Sequence, residues 1–282
     1  MKRLPRRPLL LGLAALLLTC HLPAHADEQM DAIRKRGRLK VAVYNNFPPY
    51  SDAGKGIDVE LGKALAARLG LQAEIIGFQA GEDMGDDLRN MVWKGHYLRG
   101  DPADVMLRVP LDPKFAKDNE QARIFGAYQQ EVMGMARVAS RIPPPSGSAA
   151  VALEVFTREK IGVEGDTLAD SFLGGVLQGR LRANITHFRS IGEAVRALKD
   201  DSVAAVMAPL AELEGALAGE TRFAVEEARL GELSPKRWAI GMAVKADSDQ
   251  LATDLASALT ELQRDGTVAA IFKRHGVTLR AY

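Results

Sequence analysis

Short apolar runs alternate along the chain with segments in which apolar residues recur every three or four positions. The run at residues 39–44 is rich in β-branched residues and stops before Pro48 and Pro49, which do not continue a strand interior. A helical pattern then begins at Asp58 and ends at Gly70, and a second strand-like run covers residues 73–78. A strand, a helix and a strand in this order form a right-handed crossover, which predicts a parallel sheet of the α/β class.

The same alternation continues through the chain with one interruption. Residues 141–148, which follow an extended run at 131–138, are rich in proline and small polar residues and have the composition of a boundary. Beyond them, Ser190 with Glu193 forms a capping box and Thr167 with Asp170 a looser version of one. We therefore expect two α/β lobes, with strands at residues 104–109, 160–163, 184–188 and 203–207 and helices at residues 86–93, 167–179 and 190–198.

The C-terminal stretch holds one strand pattern at 238–244 and two helical patterns, at 251–262 and 268–274. One strand and two helices do not close a core, so we expect this stretch to return to the first lobe, and packing on the second lobe is the alternative. A return requires two crossing segments, near residues 131–141 and 228–238, which together form a hinge. The expected division is a signal peptide at 1–26, the first part of lobe 1 at 27–135, lobe 2 at 136–232 and the return to lobe 1 at 233–282.

The first 26 residues have the organisation of a secretory signal. Four basic residues precede an apolar run at 9–18, and Ala24-His25-Ala26 supplies the small-x-small pattern of a cleavage site. The apolar run is shorter than the roughly 20 residues of a membrane-spanning helix. We expect cleavage after Ala26 and a periplasmic protein that is not an integral membrane protein. Lipidation at Cys20 and a twin-arginine signal at Arg6-Arg7 are the alternatives.

Composition and charge exclude several classes of function. The chain is 47% hydrophobic, and its 37 basic and 36 acidic residues are interspersed, which gives no basis for nucleic-acid binding. Its single cysteine is Cys20, so the mature chain has no thiol for disulfides, thiolate zinc sites or catalysis. The sequence contains no metalloprotease, nucleophilic serine, Walker or dinucleotide motif, so we expect no catalytic residues, no metal and no cofactor. The acidic residues at 82–87 are an alternative calcium site.

Several segments resemble the periplasmic solute-binding proteins of the amino-acid transporter type. The resemblance covers residues 31–282, and the segments that carry it occur in the same order as in that family. They are Gly37-Arg-Leu-Lys-Val-Ala-Val, Pro48-Pro49-Tyr50, Gly56-Ile-Asp58-Val, Leu65-Ala, Leu69-Gly70, Asp265-Gly266-Thr267 and Ile271-Phe272. The resemblance implies a two-lobe periplasmic binding fold of type II, with a small-molecule ligand clamped between lobes that close about a hinge.

The two charged groups that this family uses to hold a free amino acid are absent from their usual positions. The threonine-rich stretch that carries the family's carboxylate-binding arginine reads Arg108-Val-Pro-Leu-Asp-Pro-Lys-Phe, and Ala208-Pro209-Leu210 stands where the family has its ammonium-binding aspartate. Arg108 is the candidate for the first role, and the sequence offers no candidate for the second. An unpaired buried charge costs several kcal/mol, so we expect capture of ordinary amino acids to be impaired.

A second, narrower resemblance comes from residues 83–106. The block from Asp83 to Tyr97 with Ala103-Asp104-Val105-Met106 is similar to binding-protein-like accessory factors associated with PQQ-dependent methanol and alcohol dehydrogenases. This resemblance implies a non-catalytic periplasmic factor that assists a quinoprotein dehydrogenase. The receptor of an amino-acid-type ABC transporter is the alternative, and a small lyase on the same fold is a third class.

The candidate binding residues lie in segments that this fold places at the cleft or its rim. The residues after the first strand face the crevice if that strand ends there, and His96 and Tyr97 lie in a glycine-flanked loop of the kind that contacts ligands or partners. Trp93 has a core role as its alternative, and Thr167 begins a helix whose free amides favour anions. The full set is Tyr44, Asn45, Asn46, Phe47, Tyr50, Trp93, His96, Tyr97, Arg108, Tyr128 and Thr167.

Overall fold

The computed structural model describes residues 28–97 and 100–281, so the expected signal peptide lies outside the described residues. The strands are β1 (Arg38–Tyr44), β2 (Gln72–Phe78), β3 (Val105–Pro110), β4 (Ala122–Arg137), β5 (Ser146–Gly147), β6 (Ile161–Glu164), β7 (Ile185–Phe188), β8 (Ala205–Pro209), β9 (Ala224–Glu227), β10 (Arg229–Leu230) and β11 (Arg237–Lys245). The α-helices are α1 (Glu28–Arg36), α2 (Ile57–Arg68), α3 (Met84–Leu88), α4 (Pro113–Asp118), α5 (Ala149–Ala152), α6 (Leu168–Gly175), α7 (Ile191–Lys199), α8 (Leu210–Ala216), α9 (Asp249–Arg264) and α10 (Thr267–Arg274).

The main sheet has the order β2-β1-β3-β11-β4-β8-β6-β7, and β9 also pairs with β4 outside this order. β1 is parallel to β2 over its whole length and to β3, and β6 is parallel to β7 and β8. β11 and the long strand β4 are antiparallel to their neighbours in the middle of this order. The parallel pairs at both ends, each joined through helices, confirm the α/β class predicted from the sequence.

Strand β4 connects the two halves of the sheet. Its residues from Ala122 to Val132 pair with β11, and its residues from Met133 to Arg137 pair with β8. The change of partner lies inside the segment 131–141 that the sequence indicates as a crossing. A single extended strand therefore passes from one hydrophobic core into the other, while residues 230–237 provide the second connection.

On each side of this crossing, successive residues of a strand point to opposite faces of the sheet, and a separate hydrophobic cluster covers each face. In β1, Leu39, Val41 and Val43 pack with α2, α9 and α10, whereas Ala42 and Tyr44 face the side of α3. In the other half, Met207 of β8 belongs to one cluster and Val206 to the opposite one. We call the part with the first two clusters lobe 1 and the part with the other two lobe 2. The exact boundaries at 135/136 and 232/233 stay predictions.

The C-terminal helices belong to the core of lobe 1. Leu251, Leu255 and Phe272 are fully buried in the same cluster as Leu61 and Leu65 of α2. β11 is hydrogen-bonded between β3 and β4. The C-terminal segment thus completes the core that the first strands begin.

Helix α8 of lobe 2 packs on lobe 1. Ala211 is buried in the core cluster of lobe 1, and a Cβ on Gly215 would lie 2.8 Å from Pro49. Arg280 of the C-terminal tail forms an ion pair of 2.6 Å with Glu214, whose other oxygen accepts the Thr278 N–H. The lobes are therefore in direct contact along this helix.

Three expectations about local structure are wrong in detail. β4 begins at Ala122 rather than near residue 131, because Gly126, at φ +67°, and the polar pair Gln129-Gln130 hide a continuous strand in the sequence. The predicted helix at 167–179 ends at Gly175 and is followed by a turn in which Leu177 and Gln178 have positive φ. The predicted helix at 86–93 is the short helix α3 followed by a π-helical turn from Arg89 to Trp93. The sequence analysis does not predict the helices α1, α4, α5 and α8 or the short strands β5, β9 and β10.

The capping predictions are confirmed. The Ser190 hydroxyl accepts the Glu193 N–H at 3.2 Å, and Thr167 accepts the Asp170 N–H at 3.3 Å. Within residues 28–97 and 100–281, none of the helices combines the length and the apolar character that crossing a membrane requires.

Candidate functional site

A cluster of buried charged and aromatic side chains lies where the lobes meet. Lobe 1 contributes Phe47, Tyr50 and Asp58 from the turn and helix after β1, and Arg108 from β3. Tyr128 and Glu131 come from the crossing strand β4, and Glu212 comes from α8 of lobe 2. Tyr50 and Tyr128 are almost fully inaccessible, and Arg108, Glu131 and Glu212 are 7%, 1% and 7% exposed. We call this set the junction cluster.

The turn after β1 is fixed by hydrogen bonds to its own backbone and to the start of α2. Phe47 N–H donates to the Ser51 carbonyl at 2.7 Å, and the Asp58 N–H donates to the Tyr50 carbonyl at 2.8 Å. Gly56 has φ +123°, and a Cβ there would lie 2.3 Å from the Tyr50 oxygen. Only glycine permits this approach, and it places both Tyr50 and Asp58 in the cluster.

Arg108 is the central cation of the cluster. Its Cζ lies 3.3 Å from the centroid of the Tyr50 ring and 4.6 Å from that of Phe47, so the guanidinium faces two aromatic rings. Its Nη2 is 3.3 Å from Glu131 Oε1, which also accepts the Tyr50 hydroxyl. The Arg108 backbone N–H donates to the Tyr128 hydroxyl at 3.1 Å, and that hydroxyl donates to Asp58 Oδ1 at 2.8 Å. Every member of this network is held by at least one other member.

Burial shifts the acid–base properties of the cluster. It raises the pKa of Asp58 to about 6, against the opposing effects of Arg108 and of the Tyr128 hydroxyl. It raises the pKa of Glu212 to about 8, opposed by Arg108 and reinforced by Glu131 and Glu164. Burial disfavours the charge of Arg108, but Tyr50, Glu131 and Asp58 outweigh this effect and raise the pKa of the guanidinium. At neutral pH, Arg108 is therefore charged and Glu212 is mostly protonated.

Some polar atoms of the cluster lack a hydrogen-bond partner among the described residues. They are Arg108 Nη1, Glu131 Oε2 and the nearby Gln129 Nε2. Buried polar groups without partners are uncommon in folded proteins and often mark a site of ligand contact or strain. A solute that offers both a donor and an acceptor would satisfy Glu131 and Arg108 together.

Four of the eleven predicted site residues meet in the junction cluster, namely Phe47, Tyr50, Arg108 and Tyr128. Tyr44 lies beside them, because its ring centroid is 6.0 Å from that of Phe47, but its hydroxyl donates to Asp87 at 2.8 Å. Asn45 and Asn46 belong to the turn, where Asn45 N–H binds the Phe78 carbonyl and Asn46 has φ +51°.

The remaining predicted residues lie elsewhere. Trp93 packs partly buried against the second core cluster of lobe 1 and lines a surface pocket of about 1260 Å³ beside α1. His96 and Tyr97 stack on each other with centroids 4.7 Å apart, and Tyr97 is 89% exposed. Thr167 caps α6 in lobe 2 and donates its hydroxyl proton to the Glu164 carbonyl at 2.7 Å.

Sequence reasoning missed the three carboxylates of the cluster. Glu131 had a visible signal, since it begins a run of apolar residues predicted to be extended. The sequence analysis predicts Asp58 at the start of a helix, which is correct, but it does not predict that its carboxyl group lies in the cluster. Glu212 had no signal, because α8 was not predicted. In the described part of the chain, no group of three or more His, Cys, Asp or Glu residues has the arrangement of a metal site.

The comparisons with known proteins identify the fold. No protein-family model matches the chain. Among solved structures, the chain is similar to the ancestral cationic amino acid solute-binding protein AncCDT-1, with a TM-score of 0.69, 17% identity and coverage of 88% of this chain and 99% of that one. The chain has a type II periplasmic-binding-protein-like fold. The substrate-binding protein AbpA of Streptococcus pneumoniae, bound to L-arginine, is similar with a TM-score of 0.59, 19% identity and coverage of 87% and 97%.

A histidine kinase sensor domain is also similar, with a TM-score of 0.57, 18% identity and coverage of 86% and 98%. At these identities the likeness concerns the fold alone. In sequence, 77 residues are 38% identical to the membrane-bound lytic murein transglycosylase F of Vibrio cholerae, and they cover 26% of this chain and 14% of that protein. The chain thus corresponds to a small part of the length of this relative.

Replacing Glu212 by Gln should remove a pH-dependent loss of stability. An unfolded glutamate has its ordinary pKa of 4.5, whereas folding raises the pKa of Glu212 to about 8. The folded protein therefore retains a proton that the unfolded chain releases, and its stability falls as pH rises from about 4.5 to about 8. We expect Glu212→Gln to raise the free energy of unfolding at pH 8.5 by about 1–3 kcal/mol, measured by urea unfolding at pH 5 to 9.

Glu214→Gln is the matched control, because it lies on the same helix but forms an ion pair with Arg280. It should lower stability at every pH without flattening the profile. A Glu212→Gln variant that is destabilised at pH 8.5, with the slope of the parent protein, would contradict the assignment of a buried neutral carboxyl.

Proposed function

We propose that this chain is a periplasmic solute-binding protein that takes a small, positively charged organic solute at the junction of its lobes. The observation that carries the proposal is the charge of the junction cluster, where three buried carboxyl groups face one arginine. The two-lobe fold supports a binding role, since lobes of this kind close on ligands about a hinge. The signal-like residues 1–26 support export.

The chemistry of the cluster favours a cation over a carboxylate. An anion would approach Asp58, Glu131 and Glu212 and would compete with Glu131 for a guanidinium whose Nη2 is already paired with that carboxylate. A cation would offset the carboxylate charge, and its binding would strengthen as the carboxyl groups lose protons. Several similar structures are named as binders of arginine or cationic amino acids, which agrees with this class of solute.

The proposed solute class is tested by thermal shift and calorimetry with charged solutes of similar size. We expect L-arginine, methylguanidinium or putrescine to raise the melting temperature, and L-glutamate and succinate to leave it unchanged. A solute at 100 times its dissociation constant adds about 2.7 kcal/mol of stability, which corresponds to about 5 °C or more for a chain of this size.

The rise in melting temperature that cations cause should become larger between pH 6 and pH 9. Two carboxyl groups of the cluster, Glu212 and Asp58, become charged in this range. Glu212 faces Arg108, Glu131 and Glu164, and Asp58 faces Arg108, Tyr128 and Glu131. In Glu212→Gln, the rise in melting temperature caused by cations should increase less with pH than in the parent protein. Stabilisation by glutamate or succinate together with no response to the cations would refute the proposal.

Two biological settings fit such a binder, a transporter receptor and a dehydrogenase accessory factor. The fold and the junction cluster support the receptor of an amino-acid-type ABC transporter at least as well as the accessory role. Similar structures are mostly named as binding proteins, although AncCDT-1 is also described as a precursor of cyclohexadienyl dehydratase. We propose a non-catalytic role, which the absence of a recognisable nucleophile or catalytic motif in the sequence supports.

The accessory role with a PQQ-dependent dehydrogenase rests on the sequence block 83–106. Its proposed contact surface is formed by the partly exposed His96 and the exposed Tyr97. Co-purification of the tagged full-length chain with the dehydrogenase from its native host should fall at least about tenfold in a His96→Ala/Tyr97→Ala variant, because aromatic residues are frequent interface hot spots. Val151→Ala is the control, since Val151 is an exposed apolar residue on lobe 2. Equal recovery with both variants, or no recovery with the parent protein, would contradict the accessory role.

A further inference from the structure

The guanidinium of Arg108 has the surroundings that proteins give to a bound cation. Two aromatic rings, of Tyr50 and Phe47, lie 3.3 and 4.6 Å from its Cζ, and Glu131 Oε1 lies 3.3 Å from its Nη2. Ring faces attract cations, and a planar guanidinium stacks on them as well as pairing with carboxylates. Phe47, Tyr50 and Glu131 therefore form a cation subsite, and the occupant comes from the same chain.

The backbone of β3 is shaped to deliver this side chain. Leu107 pairs with Met242 and Val109 pairs with Gly241, so Arg108 is an extra residue between two ladder positions. Its φ of +65° is one that residues with a side chain rarely adopt. A β-bulge of this kind turns a side chain away from the regular alternation of a strand. Here it turns a charged side chain into the junction, where it is 7% exposed.

We propose that Arg108 is a tethered ligand, whose guanidinium occupies a cation subsite formed by Phe47, Tyr50 and Glu131 that otherwise binds a free guanidinium or alkylguanidinium ion. This inference deepens the proposed function and rests on it in placing the solute at the same junction. Arg108 then acts as a competitor of cationic solutes, which is the reverse of the carboxylate-binding role that its sequence position suggests.

Competition by a tethered group has a measurable consequence. A side chain linked to the site is present at a high effective concentration. If the guanidinium of Arg108 fills the subsite nine-tenths of the time, the apparent dissociation constant of a free cation is raised about tenfold. Removal of the side chain should therefore increase affinity for free guanidinium ions rather than abolish it.

The test uses Arg108→Gly and methylguanidinium chloride at millimolar concentrations, with sodium chloride at matched ionic strength. Glycine tolerates the positive φ of this position and leaves the subsite open. We expect the dissociation constant for methylguanidinium, measured by calorimetry at pH 8, to be at least about tenfold lower in Arg108→Gly than in the parent protein. The melting temperature of the variant should rise with methylguanidinium and not with sodium.

Three further variants make the result specific. Arg137→Gly is the matched control, because Arg137 is equally buried and pairs with Glu226 at 2.6 Å, while no ring contact is found for it in the described part of the chain. It should gain no methylguanidinium binding. Adding Glu131→Gln to Arg108→Gly should remove the gain. If Arg108→Gly does not fold, Arg108→Lys provides the test, and its dissociation constant should fall below that of the parent protein because an ammonium stacks less well.

An unchanged or weaker affinity in the folded Arg108 variant would overturn the tethered-ligand assignment, as would an equal gain in Arg137→Gly. These outcomes are separate from the fate of the proposed function. That proposal depends on whether the parent protein responds to cations or to anions, whereas this inference depends only on the difference between the parent protein and its Arg108 variants.

Discussion

The contact between Arg108 and Glu131 is the interaction on which the organisation of the junction depends. Arg108 belongs to lobe 1 and Glu131 to the strand that leads into lobe 2, and both are almost completely buried. Charges removed from water require close partners, and breaking such a pair by removing one member typically costs about 3–5 kcal/mol. Tyr50, Tyr128 and Asp58 are arranged around this pair, so the turn after β1, the start of α2 and the crossing strand share one hydrogen-bonded network.

The same junction explains how a change at the site can reach both lobes. Glu212 brings a carboxyl group from lobe 2 close to the network, and Glu214 on the same helix is tied to Arg280 of the C-terminal tail. Helix α8 therefore borders the junction cluster through Glu212 and is joined to lobe 1 through the ion pair of Glu214. A solute that alters the charge near Glu212 acts on a helix that also holds the lobes together.

Much of the fold was predictable because it follows from periodicity. The alternation of β-branched runs with helical patterns indicated the parallel strands, and the caps at Ser190 and Thr167 marked helix starts correctly. β4 was predicted too short because Gly126 and two glutamines interrupt its apolar pattern. Short helices such as α8 carry too few apolar positions to show a period, so the residue that it contributes, Glu212, could not be assigned.

The candidate site shows a different limit. Arg108 is a candidate in the sequence because it begins the stretch that corresponds to the arginine-bearing segment of the family it resembles, and in the structure it lies at the junction. Its direction depends on a one-residue bulge against β11, which a single sequence does not reveal. The same residue is therefore compatible with gripping a carboxylate or with filling a cation subsite, and only its partners distinguish these roles. Its rings and its carboxylate favour the second.

The dependence of the junction on the Arg108–Glu131 contact can be measured in a double-mutant cycle, with unfolding free energies determined at pH 7 for the parent protein, Arg108→Met, Glu131→Gln and the double variant. We expect each single variant to be strongly destabilised and the double variant to be no less stable than the less stable single variant, with a coupling energy of about 2 kcal/mol or more. Additive losses, with a coupling energy close to zero, would show that the two groups do not depend on each other and would contradict this expectation.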